Sequence, residues 1–298
     1  MEVPRGCNIE GRRDEYVLKL QKNLYGSKQA GRVWYKYLRS GLRKRGFKQS
    51  KLDKCIFYKK GILFIVYVDD AIIIGPNKRK IDEMIESLKR DYKLKDEGDL
   101  NEYLGIKMQR LEDGSRKLTQ PALIKRILKQ VQIPEQRPKK RQLQRTPANK
   151  GLQKGLDGLP RQRNWDYRSG IGMLYWLAKS TRPDIAFTVS QVARFQVNPQ
   201  RSHKNAVLRI YKYSRDTKEE GMTMRAKNEG FVVYADSDFA GGYMKGHTHD
   251  PDMAKSRSAS YIMFNGCLVF WSLKFQTEIA LITTEAEYIC LSQALQTT

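Results

Sequence analysis

The stretch LFIVYVDDAIIIG, Leu63 to Gly75, runs apolar, breaks at two adjacent carboxylates, Asp69 and Asp70, and resumes apolar. Burying one carboxylate without a partner is expensive, and two side by side also repel. On either side of the pair, CIFYKKGILFIVY and AIII are rich in Ile, Val, Phe and Tyr, which suits consecutive strands. Asp69 and Asp70 then fall where a tight hairpin turns. Adjacent acids at a hairpin tip can present oxygens to a hard divalent cation such as Mg2+. Two such ions about 3.5–4 Å apart clamp the attacking and leaving oxygens of a phosphoryl transfer. The alternative for the same pattern is a polar turn whose acids face water.

The 298 residues suffice for one large domain or two ordinary ones, and 40% hydrophobic content allows a real core. Lys and Arg number 56 against 32 Asp and Glu, a net charge of +24. Such an excess favours a polyanionic partner, nucleic acid above all, although the basic residues are spread along the whole chain. Cys7, Cys55, Cys267 and Cys290 are scattered without CxxC spacing and read as free thiols rather than a zinc site or disulfide frame. Three histidines, His203, His247 and His249, are too few and isolated for a metal cluster, and His247 and His249 read as solvated loop residues. No apolar run is long enough to span a bilayer or to open the chain as a signal peptide. The expected setting is therefore intracellular, with no membrane partner.

Around the opening stretch, Val33, Leu38, Leu42 and Phe47 are spaced for an amphipathic helix from Gln29, ended by Gly46. Pro76-Asn77 open a second helix with Ile81, Met84, Ile85, Leu88 and Tyr92 on one face. YLGIKMQRLEDGSRKLTQ predicts a hairpin turning at Asp113-Gly114. Pro121 starts a helix that turns Leu123, Ile124, Ile127, Leu128 and Val131 inward and Lys125, Arg126 and Lys129 outward. Residues 134–164 are rich in Pro, Gln, Lys, Arg and Gly and read as a linker or long surface loop. Beyond Trp165, YRSGIGMLYWLAKS and HKNAVLRIYKYSRD predict helices, GFVVYADSD and SASYIMFNGCLVFWSLK predict strands, and TTEAEYICLSQALQTT closes the chain as a helix.

Several of these stretches carry a resemblance. YVDD, Tyr67 to Asp70, matches the signature hairpin of reverse transcriptases. LYGSKQAGRVWY resembles the LYGLKQAPRxWY of Ty1/copia-type retrotransposon polymerases, and TRPDIAFTVS, YADSDFAG and CLVFWSLKFQTEIALITTEAEYICLSQA are similar to later segments of the same Pol polyproteins. The matches are collinear from the first residues to the last. On them the chain is identified as a member of the Ty1/copia-type Pol family, spanning its reverse transcriptase and RNase H regions.

The resemblance implies a mixed α+β or α/β architecture. A partial polymerase palm is expected over 1–115, a thumb-like helix and basic linker over 116–164, a helical connecting region over 165–228 and a truncated RNase H-like domain over 229–298. It implies RNA-directed DNA polymerase and RNase H chemistry by two-metal phosphoryl transfer with Mg2+, or Mn2+, and RNA/DNA hybrid or duplex nucleic acid and deoxynucleotides as partners. The location implied is a cytoplasmic particle or the nucleus. Asp69 and Asp70 match the polymerase metal ligands, while Tyr25, Gly26 and Lys28 match the segment flanking nucleotide and template. Ser27 stands where the family has Leu, and Gly31 where it has Pro, so weaker local packing and a looser helix start are expected. Asp236 matches the first RNase H ligand and Glu285 the helix acid, with Glu287 as its rival; Asp238 reads as a strand-end surface acid. Lys125, Arg126 and Lys129 fall on the thumb-like helix and are expected on phosphates. Arg137, Lys139, Lys140, Arg141 and Arg145 fit phosphate contact, a nuclear-localisation patch or a solvated linker.

The family also needs a polymerase carboxylate upstream of MEVPRGC and an RNase H carboxylate beyond the TEAEY helix. Both sites are thus expected to be incomplete, and the chain inactive alone, with metal bound only where the sites are completed. Two other readings stand beside this one: a domesticated, non-catalytic nucleic-acid-binding protein, and an enzyme whose missing strand comes from a partner chain.

Overall fold

The computed structural model describes residues 2–3, 6–8, 11–24, 26–136, 143–148, 159, 165–243 and 251–297. The chain divides into two compact units, Met1–Leu100 and Asn101–Thr298. Every pairing between strands in the described residues is antiparallel, so the architecture is α+β rather than α/β.

In the first unit, helix α1 (Ala30–Lys44) precedes four short strands: β1 (Lys48–Gln49), β2 (Ile56–Lys59), β3 (Ile62–Tyr67) and β4 (Asp70–Ile74). They form one sheet in chain order, and helix α2 (Lys78–Lys89) follows. Gly46 ends the α1 region at φ +82°, and the Asn77 side chain caps α2 by accepting from the Lys80 amide at 3.2 Å. Alternation in β3 buries Ile62, Phe64 and Val66 against Leu38 and Leu42 of α1 and Met84 and Leu88 of α2. Each fully buried side chain of this kind contributes about 1.5–3 kcal/mol. Arg45, at the end of α1, donates to the Ser87 hydroxyl and carbonyl and to Asp91 at 2.6 Å, which fastens the two helices at one corner.

The second unit begins with β5 (Glu102–Tyr103), β6 (Ile106–Arg110) and β7 (Arg116–Thr119). The β6–β7 turn has the Asp113 carboxylate accepting from the Ser115 amide at 3.0 Å and Gly114 at φ +81°. Four helices follow: α3 (Pro121–Gln130), α4 (Tyr167–Ser180), α5 (Ala186–Ala193) and α6 (Arg201–Asp216). They share one core of Leu, Ile and Val with Trp165, Tyr167 and Tyr211. Arg182 is fully buried here, donating to both Asp184 oxygens and to the Thr217 carbonyl and hydroxyl. Burial alone would raise the Asp184 pKa, but the Arg182 guanidinium and the Tyr213 hydroxyl outweigh it and hold the carboxyl below its ordinary value.

Strand β8 (Met222–Met224) then pairs with β7, across more than a hundred residues of sequence. A three-stranded sheet follows, ordered β11-β10-β9, from β9 (Phe231–Asp238), β10 (Arg257–Phe264) and β11 (Cys267–Phe275). Asn265 and Gly266 turn β10 into β11 at φ +49° and +72°, as a two-residue hairpin of this twist demands. Helix α7 (Thr283–Leu295) packs on β9 and β10.

Gly41 sits in α1 against the buried Tyr92 ring, whose hydroxyl occupies the space a Cβ would need. The ring cannot withdraw readily, because it meets Trp34 and Tyr37 edge-on. Gly41→Ala should therefore destabilise the first unit by about 1–3 kcal/mol despite alanine's better helix propensity. A thermal melt giving an unchanged or raised midpoint would contradict this packing.

Candidate active site and nucleic-acid interface

The hairpin that joins β3 to β4 pairs Tyr67 with Asp70, so its two turn residues are Val68 and Asp69. Asp70 is thus the first strand residue rather than part of the turn. Val68 adopts φ +55°, a left-handed conformation unfavourable for a β-branched residue. Tyr67, Val68, Asp69 and Asp70 are all exposed. Strand β3 buries its alternate side chains and the turn lifts the carboxylates into solvent, so the pair carries little burial penalty.

One side chain anchors this tip. The Trp34 indole N–H donates to the Val68 carbonyl at 3.2 Å. The ring is held in turn by Tyr92, edge-on at 6.0 Å, and by Tyr37 at 6.3 Å. Trp34 belongs to the LYGSKQAGRVWY segment, so α1 ties that motif to the YVDD motif. The amphipathic spacing of α1 does not single out Trp34, which is 39% exposed and not a core residue. Its place within the motif was the signal available.

Immediately before α1, Gly26 takes φ +86° and Lys28 is exposed. Tyr25 lies outside the described residues. Ser27 makes its own turn, its amide and hydroxyl donating to the Leu24 carbonyl at 3.2 and 2.9 Å. Gly31 lies in the first turn of α1 with open space where a Cβ would stand.

In the second unit, Lys125, Arg126 and Lys129 are exposed along α3, opposite the buried Leu123, Ile124, Ile127 and Leu128. Lys125 pairs with Glu135 at 3.3 Å, an exposed contact of little energetic weight. Of the linker cations, Arg145 is described and exposed. Arg137, Lys139, Lys140 and Arg141 lie outside the described residues, as do His247 and His249.

Asp236 is exposed on β9 opposite Ala259, and Glu285 is exposed in the first turn of α7. Two buried side chains seat that helix on the strands. The Cys290 thiol donates to the Asp236 carbonyl at 3.0 Å and the Ala259 carbonyl at 3.4 Å. The Gln276 amide donates to the Ser258 hydroxyl at 3.1 Å and the Ala286 carbonyl at 2.8 Å. Glu285 also has a local task, accepting from the Leu281 amide at 2.6 Å and so satisfying a donor at the helix start. Asp238 accepts from the Arg257 amide at 2.6 Å and pairs with its guanidinium at 3.9 Å, so it organises the β9–β10 end.

Asp69 and Asp70 offer the hard oxygen donors that suit a divalent cation. Among the described residues, no group of three or more His, Cys, Asp or Glu side chains is gathered closely enough to hold an ion. The donor set at the hairpin is thus two carboxylates.

Residues 1–144 match the reverse transcriptase (RNA-dependent DNA polymerase) family. The chain is 32% identical to the retrovirus-related Pol polyprotein from transposon TNT 1-94 of Nicotiana tabacum, over 98% of this chain and 22% of that protein. It is 32% identical to the Pol polyprotein from transposon RE1 of Arabidopsis thaliana, over 97% of this chain and 19% of that protein. It is also 26% identical to the putative transposon Ty5-1 protein of Saccharomyces cerevisiae, over 96% of this chain and 91% of that protein. The chain spans about a fifth of the length of the TNT 1-94 and RE1 polyproteins it matches. The class defined over residues 1–144 is a reverse transcriptase domain. More narrowly, the chain belongs to the copia-type retrotransposon Pol family.

Trp34→Phe keeps an aromatic ring but removes the only hydrogen bond from α1 to the hairpin tip found among the described residues. It should lower stability by about 1 kcal/mol and speed hydrogen exchange at the Asp69 and Asp70 amides. Exchange as slow as in the parent would mean that the tip holds itself.

Proposed function

We propose that this chain is the nucleic-acid-engaging segment of a copia-type Pol protein. In this reading its polymerase hairpin and its β9–α7 pair each contribute part of a two-metal phosphoryl-transfer site, and on its own the chain binds nucleic acid without synthesis. The observation that carries the reading is the solvent-facing Asp69–Asp70 pair on a hairpin tip pinned by Trp34. A bound divalent cation, Mg2+ by donor chemistry, would supply charge stabilisation to the attacking and leaving oxygens. Asp69 and Asp70 would hold it, and Trp34 keeps their backbone from fluctuating. Strand β4 stands at the end of its sheet, so a further strand bearing a carboxylate has an edge on which to pair beside Asp70. Gly26 and Lys28, with Tyr25, flank the nucleotide and template. Asp236 and Glu285 play the corresponding part for RNase H chemistry in an RNase H-like region over 229–298. RNA/DNA hybrid or duplex is the macromolecular substrate, deoxynucleotides the small one, and a cytoplasmic particle or the nucleus the setting. Among the described residues, no helix is long and apolar enough to cross a membrane.

The exposed Lys125, Arg126 and Lys129 also favour a second reading, a domesticated binding protein without catalysis. Primer extension on poly(rA)/oligo(dT) with Mg2+ separates the two when the chain is extended upstream to include a further palm carboxylate. Restored synthesis supports the Pol reading, and persistent silence with intact hybrid binding supports domestication.

Removing one of two adjacent like charges relieves repulsion, so Asp69→Asn should melt at or slightly above the parent. Millimolar Mg2+ should move neither midpoint appreciably. A large Mg2+-dependent rise in the parent that the variant loses would mean that the chain already holds a complete site.

If α3 tracks a phosphate backbone, replacing Lys125, Arg126 and Lys129 together by Glu should weaken hybrid binding and flatten its salt dependence. Three lost phosphate contacts correspond to a fall of about 2.7 in the log–log slope. An unchanged slope would move the footprint off this helix.

A further inference from the structure

The end of α4 lies against strand β11, the edge of the three-stranded sheet. The Trp271 indole donates to the Ala178 carbonyl at 2.9 Å, and the Lys179 ammonium reaches the Trp271 carbonyl at 3.4 Å. At this junction the Lys179 ammonium stands 5.8 Å from the Tyr175 ring centre and 5.9 Å from that of Phe270. Burial holds the Lys179 ammonium below its ordinary pKa, and the charge of Lys274 adds to the effect. Both lysines are exposed, and neither makes an ion pair among the described residues. Tyr175 and Trp176 are 51% and 45% exposed, an unusual outlay of aromatic surface for adjacent residues of one helix.

Two neighbouring ammonium groups that repel one another gain from a shared anion. The exposed Tyr175 ring beside Lys179, and the exposed Trp176 that follows it in α4, gain from flat, π-faced groups. A ligand that alternates anions with flat rings along one flexible strand satisfies both. Duplex nucleic acid does not, because its bases are already stacked on one another and withheld from the rings. We propose that the α4–β11 junction is a binding site for single-stranded nucleic acid, with phosphates at Lys179 and Lys274 and bases stacked on Tyr175 and Trp176. The proposal takes its ligand class from the nucleic-acid reading above, but it rests on residues other than those of α3 and of both carboxylate pairs.

The test uses the full chain and fluorescence anisotropy with a labelled oligothymidylate of about eight nucleotides, within the footprint of one such site. A hybrid duplex of equal length is titrated in parallel. Tyr175→Ala combined with Trp176→Ala should weaken oligothymidylate binding by about thirtyfold or more, leave its salt slope unchanged, and alter hybrid binding less than twofold. Lys179→Ala combined with Lys274→Ala should lower the oligothymidylate slope by about 1.4, two single-strand phosphate contacts. All four side chains are exposed, and matching melts of the variants verify the fold. Oligothymidylate binding unchanged in both double variants overturns the proposal. Equal weakening of hybrid and single strand also overturns it, since the surface would then be a general polyanion patch. So does loss of binding to phosphatidylserine vesicles with oligothymidylate binding intact, which would assign the patch to an anionic lipid surface. If the parent binds hybrid but not oligothymidylate, this site fails while the broader reading stands. Binding of neither sinks both.

Discussion

The register that places Tyr67 opposite Asp70 constrains the first unit more than any other pairing. Because side chains alternate along a strand, a slip of one residue would turn Ile62, Phe64 and Val66 out of the core and carry the carboxylates off the tip. The apolar face therefore specifies the position of the acids. The Trp34 hydrogen bond adds a second, independent restraint on the same turn, reaching it from α1. Val68 tolerates its left-handed backbone because both restraints act on the residues around it.

The second unit positions its carboxylates differently. Asp236 and Glu285 lie on a strand and a helix that meet through the buried Cys290 and Gln276 rather than through a tight turn. Such an arrangement depends on two elements keeping their seating: the Cys290 thiol ends on backbone carbonyls of both strands, and Gln276 joins the Ala286 carbonyl of the helix to the Ser258 hydroxyl of β10. Arg257 adds a third fastening. It is buried over the Phe275 ring at 4.2 Å and the Phe187 ring at 5.3 Å, and its backbone donates to Asp238. Aromatic faces and the Asp238 carboxylate offset part of the cost of burying this guanidinium, but burial still holds its pKa below the ordinary value.

The excess of positive charge takes more than one form on this chain. On α3 the cations stand clear of the core along one exposed face, suited to sequence-independent attraction of a phosphate backbone. At the α4–β11 junction they are interleaved with aromatic rings, and two of them repel each other. These local settings differ in the geometry of anion they favour, which a net charge of +24 does not reveal.

Much of this was legible in the linear chain. The period of apolar residues marked α1, α2 and α3, the stretches of α4, α6 and α7 also read as helices, and Gly46, Asn77 and Pro121 punctuated helices and Asp113-Gly114 a hairpin through local backbone chemistry. The motif order was enough to indicate the family, because a collinear set of short matches survives even where Ser27 and Gly31 depart from it. What sequence alone left undecided was set by contacts between distant residues. The pairing of β7 with β8, the bond from Trp34 to the YVDD turn and the clamps of Gln276 and Cys290 have no local signature. Each joins groups more than eight residues apart, and its partner is selected only when the apolar faces have been buried. The solvent exposure of Asp69 and Asp70 was likewise a tertiary decision. Their apolar neighbours suggested burial, but strand alternation and the hairpin turn direct the core inward and the two charges out.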